Sequence, residues 1–439
     1  MKKAAVRKIR PIHLAAVIFF TVSGGPYGLE PLLTYAGEHA ALLLLIITPM
    51  LWDVPAIFTV LELNSMMPVT GGYYKWVKHA LGTRWGFFEG LWTWFYTFVD
   101  LAIYPVLFVQ YASFLLPGIA DYKIPVCLAI IWSSAALNIS GIVPVGRISL
   151  TLSVLVLVPF VVLFGVFFWH HNGGYAFPSP SLSGLSFSSV GLSMYTIMWN
   201  CLGWDNVTTY AEEVEDPLRS YLWSIVIAFI TVIAVYVLLI YISQQSKINY
   251  EVLTKQGFPS LGELLGGRWL GVVIAAAGMA STLGLYTANL LSVSRLPKAM
   301  ADDGLLPKIL STLHARFGTP YISILVCSVI ISLMTLWSFG ELIVIDVTIY
   351  GAGLFLEYIS LIRLRIKEPD TPRPFRIPLG VPALCCLLIL PAGVYLVALS
   401  GVFSSASEVL KPALFAVGIL LMAEVAWRLV VWRKPYLKG

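Results

Sequence analysis

The chain has 439 residues, of which 58% are hydrophobic and only 12% are charged, and its formal net charge is +5. A soluble globular domain carries about 25% charged residues, so this composition excludes an ordinary soluble protein. The excess of Lys and Arg lies in short segments at the ends of apolar runs. This pattern is typical of membrane proteins and does not indicate nucleic-acid binding.

Twelve apolar segments of membrane-spanning length follow one another along the chain. They cover residues 12–37, 41–66, 85–116, 123–140, 146–169, 188–211, 220–244, 266–295, 320–339, 341–362, 380–402 and 409–432. The connections are mostly short and leave no room for a separate soluble domain. Residues Met1–Arg10 are basic, but a full apolar segment without a small-residue cleavage site follows, so we expect a retained first helix rather than a signal peptide. The sequence therefore predicts an all-α membrane protein with twelve transmembrane helices.

The distribution of Lys and Arg predicts the orientation of the chain in the membrane. If the N-terminus is cytoplasmic, only five of the 28 Lys and Arg residues fall on the outer side. These five are Lys123, Lys247, Lys255, Arg268 and Lys411. We therefore expect a multi-pass protein of the cytoplasmic (plasma) membrane with both termini in the cytoplasm.

Two of the apolar segments are interrupted by glycine and polar residues, at Ser23–Gly28 in the first and at Asn200–Asp205 in the sixth. Each interruption begins about eleven residues into its segment, which corresponds to about 16 Å of helix and roughly half the hydrocarbon thickness. Unwound backbone is tolerated at that depth only where protein buries it or where it lines a cavity. A matching pair of broken helices in two halves of a membrane protein indicates the substrate site of a secondary transporter.

The interruptions therefore supply most of the residues that we predict to bind substrate. They are Ser23, Gly24, Gly25 and Tyr27 in the first, and Asn200, Cys201, Gly203, Trp204 and Asp205 in the second, together with the preceding Trp199. Glycine allows the backbone to approach a ligand closely. The two tryptophans either close over a substrate or pack in the core.

Several carboxyl groups lie inside the apolar segments, and the sequence offers no Lys or Arg within those segments to pair with them. They are Glu30, Asp53, Glu62, Asp100, Asp205, Asp346 and Glu357. A charge at the centre of a membrane helix costs about 2.5–3.5 kcal/mol on insertion scales. Each group is therefore a neutral carboxyl bonded to nearby hydroxyls, or it meets a cation that is not part of the chain. Their number favours a proton-coupled carrier, a cationic substrate, or both.

Spacing along the helices indicates possible partners for four of these acids. Asp205 either caps the half-helix that follows it or binds an ammonium group. Glu30 lies in the first turn after the first interruption, where a helix N-terminus favours negative charge. Asp100 and Tyr104 are four residues apart on one helical face, as are Asp346 and Tyr350, and either pair is a hydrogen bond or part of a binding site.

We accordingly add Glu30, Asp100 and Tyr104 to the predicted substrate-binding residues. The candidates for ion coupling are Asp53, Glu62, Ser281, Thr282 and Asp346. None of the five Cys residues has metal-ligand spacing, and His170–His171 is best explained as an interfacial cap, so we predict no metal and no cofactor. A channel would need a repeated filter or charged ring, and an enzyme would need a catalytic cluster; the sequence contains neither.

Three motifs resemble the amino acid–polyamine–organocation superfamily of permeases. They are Ser23-Gly24-Gly25, the run from Ser294 to Pro320, and Arg373-Pro374-Phe375-Arg376-Ile377-Pro378. The resemblance implies the leucine-transporter fold, with a first five-helix repeat at residues 1–170, an inverted second repeat at 185–365, and helices 11 and 12 at 378–434. It also implies broken helices 1 and 6 and amine transport by alternating access, either independent of sodium or coupled to protons.

Further motifs resemble the branch of plant polyamine-uptake permeases and their bacterial amino acid permease relatives. They are the Asp-x-x-x-Tyr-Pro-Val-Leu-Phe run from Asp100, and Trp204-Asp205 followed by Ala211–Val214. Some proton-dependent relatives carry a lysine in the fifth helix, and the body of this fifth helix has none. Ser281 and Thr282 are similar to the hydroxyls of a sodium site, so the coupling ion stays open. The loop Pro117–Lys123 lacks the cysteine that tethers a heavy chain in another branch, so we expect no heavy-chain subunit.

Two substrate classes fit these residues. A polyamine needs carboxylates at both ends, which Glu30, Asp100 and Asp205 would supply. A zwitterionic amino acid needs a host for its carboxylate, which free backbone N–H groups at Ser23–Gly28 would supply. The sequence leaves both substrates open, and symport or exchange as well.

Overall fold

The computed structural model describes residues 11–69, 72–140, 145–170, 177–206, 208, 217–403 and 410–434. Over these residues the chain is nearly all helical and contains no β-strand. The α-helices are α1 Pro11–Val22, α2 Pro31–Met66, α3 Gly72–Leu81, α4 Thr83–Leu115, α5 Lys123–Ser140, α6 Val145–His170, α7 Phe187–Asn200, α8 Pro217–Gln245, α9 Tyr250–Gln256, α10 Phe258–Gly266, α11 Arg268–Val293, α12 Arg295–Asp302, α13 Tyr321–Met334, α14 Phe339–Lys367, α15 Val381–Phe403 and α16 Leu410–Arg433. The N-terminal Met1–Arg10, His171 and the motif Ala211–Val214 lie outside the described residues.

Eight helical stretches of the described chain are long and apolar enough to cross a membrane. They correspond to α2, α4, α5 with the 3-10 turn that precedes it, α8, α11, α14, α15 and α16. The apolar part of α6 from Val154 to His170, and α13, are shorter apolar helices. The chain is therefore an all-helical multi-pass membrane protein, in agreement with the class that its composition predicts.

The backbone leaves helical geometry at both glycine-containing segments. Helix α1 ends at Val22 and the next helix begins at Pro31. Between them Gly24 and Gly25 have backbone φ angles of +58° and +108°, which residues other than glycine rarely adopt. Helix α7 ends at Asn200, and the following residues through Asp205 are not helical.

Helix α2 contains a second change of direction. Gly37 has φ +66° and ψ −172°, which is not a helical conformation. Residues 31–36 therefore form a short helical segment of their own, and the long membrane-spanning part of α2 follows Gly37.

Short helices occupy the longer connections, and the sequence analysis did not predict them. They are α3, α9, α10 and α12, and they have 10, 7, 9 and 8 residues. A search for long apolar segments misses helices of this kind because they are too short to span a membrane. Lys75 and Lys78 on α3 pair with Asp303, just after α12, at 3.5 and 3.0 Å.

Helix α4 packs against α14 and α11, while α1 packs against α6 and α8. The order of contacts shows that α4 and α14 are antiparallel. Tyr96 of α4 meets Tyr350 of α14 with ring centroids 5.3 Å apart. The earlier Glu89 lies beside the later Gly353, since a Cβ on Gly353 would stand 3.1 Å from Oε1 of Glu89. This packing places the two non-helical segments beside the faces of α4, α11 and α14.

Candidate substrate-binding site

A cavity lies where the two non-helical segments meet α4, α11 and α14. Its volume is about 40 Å³, which is room for a few water molecules. It is lined by eight of the residues predicted to bind substrate: Ser23, Gly24, Tyr27, Asp100, Tyr104, Trp199, Asn200 and Gly203. Three of the coupling candidates, Ser281, Thr282 and Asp346, line the same cavity. The tertiary structure thus brings together residues that are more than three hundred positions apart.

Hydrogen bonds connect the non-helical segments to each other and to their neighbours. The Tyr236 hydroxyl of α8 lies 2.7 Å from Oγ of Ser23 and 2.9 Å from the carbonyl oxygen of Asn200. The Asn200 side chain donates to the carbonyl of Gly28 at 3.3 Å. Ser281 of α11 donates to the carbonyl of Gly24 at 2.6 Å. These bonds satisfy backbone groups that the missing helical bonds leave free.

Two carboxyl groups, Asp100 of α4 and Asp346 of α14, line the cavity. Asp100 accepts a hydrogen bond from the Tyr104 hydroxyl at 2.8 Å and another from the Trp199 indole. Asp346 is fully buried, and neither of its carboxyl oxygens has a hydrogen-bond partner in the described part of the chain. No Lys, Arg or His is among the described residues that line the cavity. A cationic N–H donor would satisfy this unpaired acceptor.

The backbone amides of the first non-helical segment are largely occupied. Ser23 and Gly24 donate to the carbonyl of Phe19 at 2.9 and 3.2 Å. Gly25 donates to Oγ of Ser23 at 3.1 Å, and Gly28 donates to Oε2 of Glu30 at 2.7 Å. The sequence analysis expected free N–H groups here, but local turns and the Glu30 side chain occupy these four. They are not available to a substrate carboxylate in this conformation.

Five of the residues predicted to bind substrate do not line the cavity: Gly25, Glu30, Cys201, Trp204 and Asp205. Glu30 is fully buried, and besides the Gly28 amide it accepts a bond from the Tyr111 hydroxyl at 3.0 Å. It therefore braces the first non-helical segment against α4. Trp204 donates to Oδ1 of Asp53 at 3.2 Å and joins the second segment to α2.

Asp205 lies next to a second, smaller cavity, which Glu89 and Glu357 also line. Its Oδ1 accepts a hydrogen bond from the Tyr350 hydroxyl at 2.9 Å. The side chain of Tyr350 is thus directed at Asp205 and not at Asp346, so a hydrogen bond between Asp346 and Tyr350, one explanation of their spacing, is not formed.

The expectation that the intramembrane acids have no cation in the chain is wrong for Glu62. Both Glu62 oxygens pair with the Arg365 guanidinium, through Nε and through Nη2 at 2.6 Å, and both side chains are almost completely buried. The Ile377 amide adds a bond to Oε2 at 2.9 Å, and Arg373 lies 3.4 Å from Oε1. Helix α14 continues past residue 362, where the apolar segment ends, and Arg365 folds inward. The network ties the Arg373–Pro378 motif to α2.

Sequence reasoning missed four residues of these sites: Glu89, Tyr96, Asn206 and Tyr236. Tyr96 and Asn206 line the larger cavity and bond to each other at 2.9 Å. The sequence did contain an indication for Glu89. It precedes Asp100 by eleven residues, close to three helical turns, so both lie on one face of the helix. The sequence contained no such indication for Tyr236, since one tyrosine in an apolar helix is common.

A polar cavity where helices give way to non-helical backbone is typical of secondary transporters, and similarity to known proteins identifies this chain as a membrane permease rather than an enzyme. The chain belongs to the amino acid permease family, whose profile matches residues 11–423.

The polyamine transporter RMV1 of Arabidopsis thaliana is 32% identical over 381 residues, which are 86% of this chain and 77% of RMV1. The polyamine transporter PUT1 of Oryza sativa subsp. japonica is 31% identical over 431 residues, which are 96% of this chain and 78% of PUT1. A probable polyamine transporter of Arabidopsis thaliana is 33% identical over 392 residues, 86% of this chain and 80% of its own length. The resemblance to polyamine-uptake permeases is thereby confirmed.

Proposed function

We propose that this protein is a secondary active transporter that moves small organic amines across the cytoplasmic membrane by alternating access, with polyamines or other cationic amines as its substrates. The observation that carries the proposal is that the carboxyl groups of Asp100 and Asp346 both line the cavity, and that the fully buried Asp346 has no hydrogen-bond partner in the described part of the chain. The relatives that are named polyamine transporters support the same substrate class.

The proposed architecture has twelve spans. Helix α1 and residues 31–36 are the two halves of the first span, and α7 is the first half of the sixth. The first repeat covers residues 1–170, the inverted second repeat 185–365, and the last two spans 378–434. Both termini lie in the cytoplasm, on the side of the basic helix α3. Besides its substrate the protein contacts membrane lipid, and it has no heavy-chain subunit.

In the proposed binding mode the ammonium group of the substrate lies between Asp100 and Asp346. The rings of Tyr27, Tyr104 and Trp199 line the same cavity and favour a cation through their π faces. Gly24 lines the cavity with its backbone, and the side chain of Leu285 packs where a Cβ would lie. Alternating access then requires the cavity to open towards one side of the membrane at a time.

A zwitterionic amino acid is the alternative substrate, since the matched family is that of amino acid permeases. Its carboxylate would need donors, and the amides of Ser23, Gly24, Gly25 and Gly28 are already bonded. An amino acid would therefore have to displace Glu30 or the Ser23 turn. This requirement makes the cationic amine the better candidate.

For ion coupling we propose protons. Asp53 and Asp346 are buried, and each has a carboxyl oxygen without a hydrogen-bond partner in the described chain, so a bound proton removes a charge that is costly to bury. The hydroxyls of Ser281 and Thr282 donate to the carbonyls of Gly24 and Met279, at 2.6 and 3.0 Å. The Glu62 carboxylate is paired with Arg365. Of the carboxyl groups that the sequence predicted for ion coupling, Asp53 and Asp346 are therefore the better candidates. Replacement of sodium by choline in a transport assay tests this choice. A sodium-coupled carrier would stop accumulating substrate without sodium, whereas a proton-coupled carrier would continue.

The function is tested with the purified full-length protein in proteoliposomes and a panel of putrescine, spermidine, arginine, alanine and leucine. A carrier saturates and supports counterflow, in which excess unlabelled substrate inside drives uptake of labelled substrate. We expect saturable counterflow with putrescine or spermidine. Counterflow with alanine or leucine alone would favour the amino acid alternative, and the absence of counterflow with all five would contradict the proposal.

A further inference from the structure

The second, smaller cavity is surrounded by three carboxyl groups. Glu89 comes from α4, Asp205 from the segment after α7, and Glu357 from α14, and their side chains are only 2%, 4% and 1% exposed. The other residues that line it are Thr93, Tyr96, Ile349, Tyr350, Gly353 and Leu354. The space between them is too small for a water molecule. The carboxyl groups therefore have neither solvent nor room for an ammonium group in this conformation.

The position of this cavity follows from a repeated spacing on two helices. Glu89 precedes Asp100 by eleven residues on α4, and Asp346 precedes Glu357 by eleven residues on α14. Eleven residues are close to three helical turns and rise about 16 Å, so each helix carries its two acids on one face. Because α4 and α14 are antiparallel, the acids form two layers. Asp100 and Asp346 belong to the larger cavity, in which the amine is proposed to bind and which we call the amine cavity. Glu89 and Glu357 belong to the smaller one.

A layer of two tyrosines separates the two cavities. The rings of Tyr96 and Tyr350 lie 5.3 Å apart, and Tyr96 lines both cavities. The Tyr96 hydroxyl donates to Asn206 at 2.9 Å, and the Tyr350 hydroxyl donates to Asp205 at 2.9 Å. Asn206 lines the amine cavity and Asp205 lines the smaller one, so two adjacent residues of one segment connect the cavities.

Hydrogen bonding in the smaller cavity is incomplete. Oε1 of Glu89 accepts a bond from the Thr93 hydroxyl at 3.3 Å. Oε2 of Glu89 and Oε2 of Glu357 have no partner in the described part of the chain, although both side chains are almost completely buried. Carboxylates that share one buried site repel each other, and burial makes this repulsion stronger than it is in water. A proton on one of them removes this repulsion and supplies a donor for the free oxygen of another.

The other titratable groups around this cavity are neutral hydroxyls. Tyr73 of α3, Tyr96 of α4, and Tyr350 and Tyr358 of α14 interact with its carboxyl groups. Of the Lys and Arg residues on α3, α4 and α14, Lys75 and Lys78 pair with Asp303, Arg84 with Glu424, and Arg365 with Glu62, while Arg363 and Lys367 are exposed. No described cation therefore neutralises the three acids, and protons are the remaining means.

We propose that Glu89, Asp205 and Glu357 form a shared proton-binding site that couples amine transport to proton movement. The inference rests on the proposed transport function. A proton from the water on one side forms an O–H bond with one carboxylate, and that bond breaks when the proton leaves to the opposite side. Asp205 belongs to the segment that must move when the amine cavity opens, so its distance from Glu89 and Glu357, and with it their proton affinity, changes during the cycle.

The first test needs no substrate. Infrared spectroscopy separates protonated from ionised carboxyl groups, and we expect the protonated band of the full-length protein at neutral pH to decrease in Glu89→Gln and in Glu357→Gln. Asp303→Asn is the matched control. Desolvation raises the pKa of Asp303, but hydrogen bonds from Lys78 and Tyr74 and the charges of Lys78 and Lys75 outweigh it, so the pKa lies below its ordinary value. This control should leave the band unchanged. A band that is identical in the wild type and both Gln variants would overturn the proposal.

The second test separates coupling from transport itself. In proteoliposomes, counterflow of putrescine needs no proton gradient, whereas accumulation against a gradient does. We expect Glu89→Gln and Glu357→Gln to retain counterflow. Their accumulation of putrescine driven by a pH gradient should be at least tenfold lower than that of the wild type. If the wild type shows counterflow but a pH gradient drives no accumulation, the proton site is wrong and the transport function stands. If the wild type shows no counterflow with any amine of the panel, the transport function itself fails. The two variants lie on different helices, so one reports if the other does not fold.

Discussion

At the scale of single residues, Asp346 differs from the other acids because both of its oxygens are unpaired within the described chain while it faces the amine cavity. Asp100 on the opposite helix already has Tyr104 and Trp199 as donors. A substrate ammonium group therefore gains most from Asp346. Asp205 is a weaker candidate for binding the ammonium group, because its side chain lines the smaller cavity and not this one.

We predict that Asp346→Asn weakens putrescine or spermidine binding about ten- to a hundredfold, because a hydrogen bond to a charged group contributes about 1.5–3 kcal/mol. Affinity is measured by competition binding on the detergent-solubilised protein. The control is Asp121→Asn, an exposed aspartate in the connection before α5, which should leave the affinity unchanged. Wild-type affinity in Asp346→Asn would show that the ammonium group is held elsewhere.

The backbone at Gly24 leaves no room for a side chain. Its φ angle is +58°, and a Cβ there would collide with the side chain of Leu285 at the wall of the cavity. We predict that Gly24→Leu abolishes uptake while the protein still inserts into the membrane. Gly37→Leu is the matched control, since Gly37 also has a positive φ, +66°, but has open space around it. The control should keep transport and lose only about 1–3 kcal/mol of stability from backbone strain. Unchanged uptake kinetics in Gly24→Leu would contradict a substrate that approaches this backbone.

At the scale of helices, the buried pair of Glu62 and Arg365 connects α2 to the end of α14. Arg365 also donates to the carbonyls of Ile377 and Leu379, at 2.8 and 3.0 Å, so the same guanidinium holds the chain that leads to α15. Three segments of the chain therefore depend on one side chain.

We predict that Arg365→Met lowers the stability of the protein by about 3–5 kcal/mol, because it removes the guanidinium that pairs with both oxygens of the buried Glu62 carboxylate and leaves only the single contact with Arg373 at 3.4 Å. Thermal unfolding in detergent measures the loss. The double variant Glu62→Gln/Arg365→Met should recover part of it, since residue 62 then carries no buried charge. Lys298→Met, which removes the half-exposed pair with Asp302, serves as the control and should have a much smaller effect. Equal losses in the two single variants would contradict the role of the buried pair.

At the scale of the whole molecule, the distribution of Lys and Arg fixes a single orientation if the chain crosses the membrane twelve times. An even number of crossings brings both termini to the same side. We therefore predict that epitope tags at the N- and C-termini are inaccessible to antibody in intact cells and accessible in inside-out vesicles. A tag in the connection before α9, near Lys247, should behave in the opposite way. Tags on opposite sides at the two termini would contradict twelve crossings.

Hydrophobicity and glycine placement determined the class of this protein and the place of its site. Apolar segments of spanning length can satisfy their backbone in lipid only as helices, so the all-helical fold follows from local sequence. Ser23–Gly25 and Asn200–Gly203 marked the cavity because glycine and polar residues at that depth must line protein or water. Helical spacing allowed a hydrogen bond between Asp100 and Tyr104, and this bond is formed at 2.8 Å, whereas the same spacing of Asp346 and Tyr350 gives none.

Tertiary structure alone decided which of the buried acids have partners. Glu62, Glu30 and Asp346 look alike in sequence, yet the first binds Arg365 of a distant helix, the second binds a backbone amide and Tyr111, and the third faces the cavity unpaired. Likewise, the packing of α4 against α14 placed Glu89 beside Glu357 and turned Tyr350 towards Asp205. Spacing within a helix determines which face a side chain occupies, but its partner depends on the helix that packs against that face, and that contact is set by the fold of the entire chain.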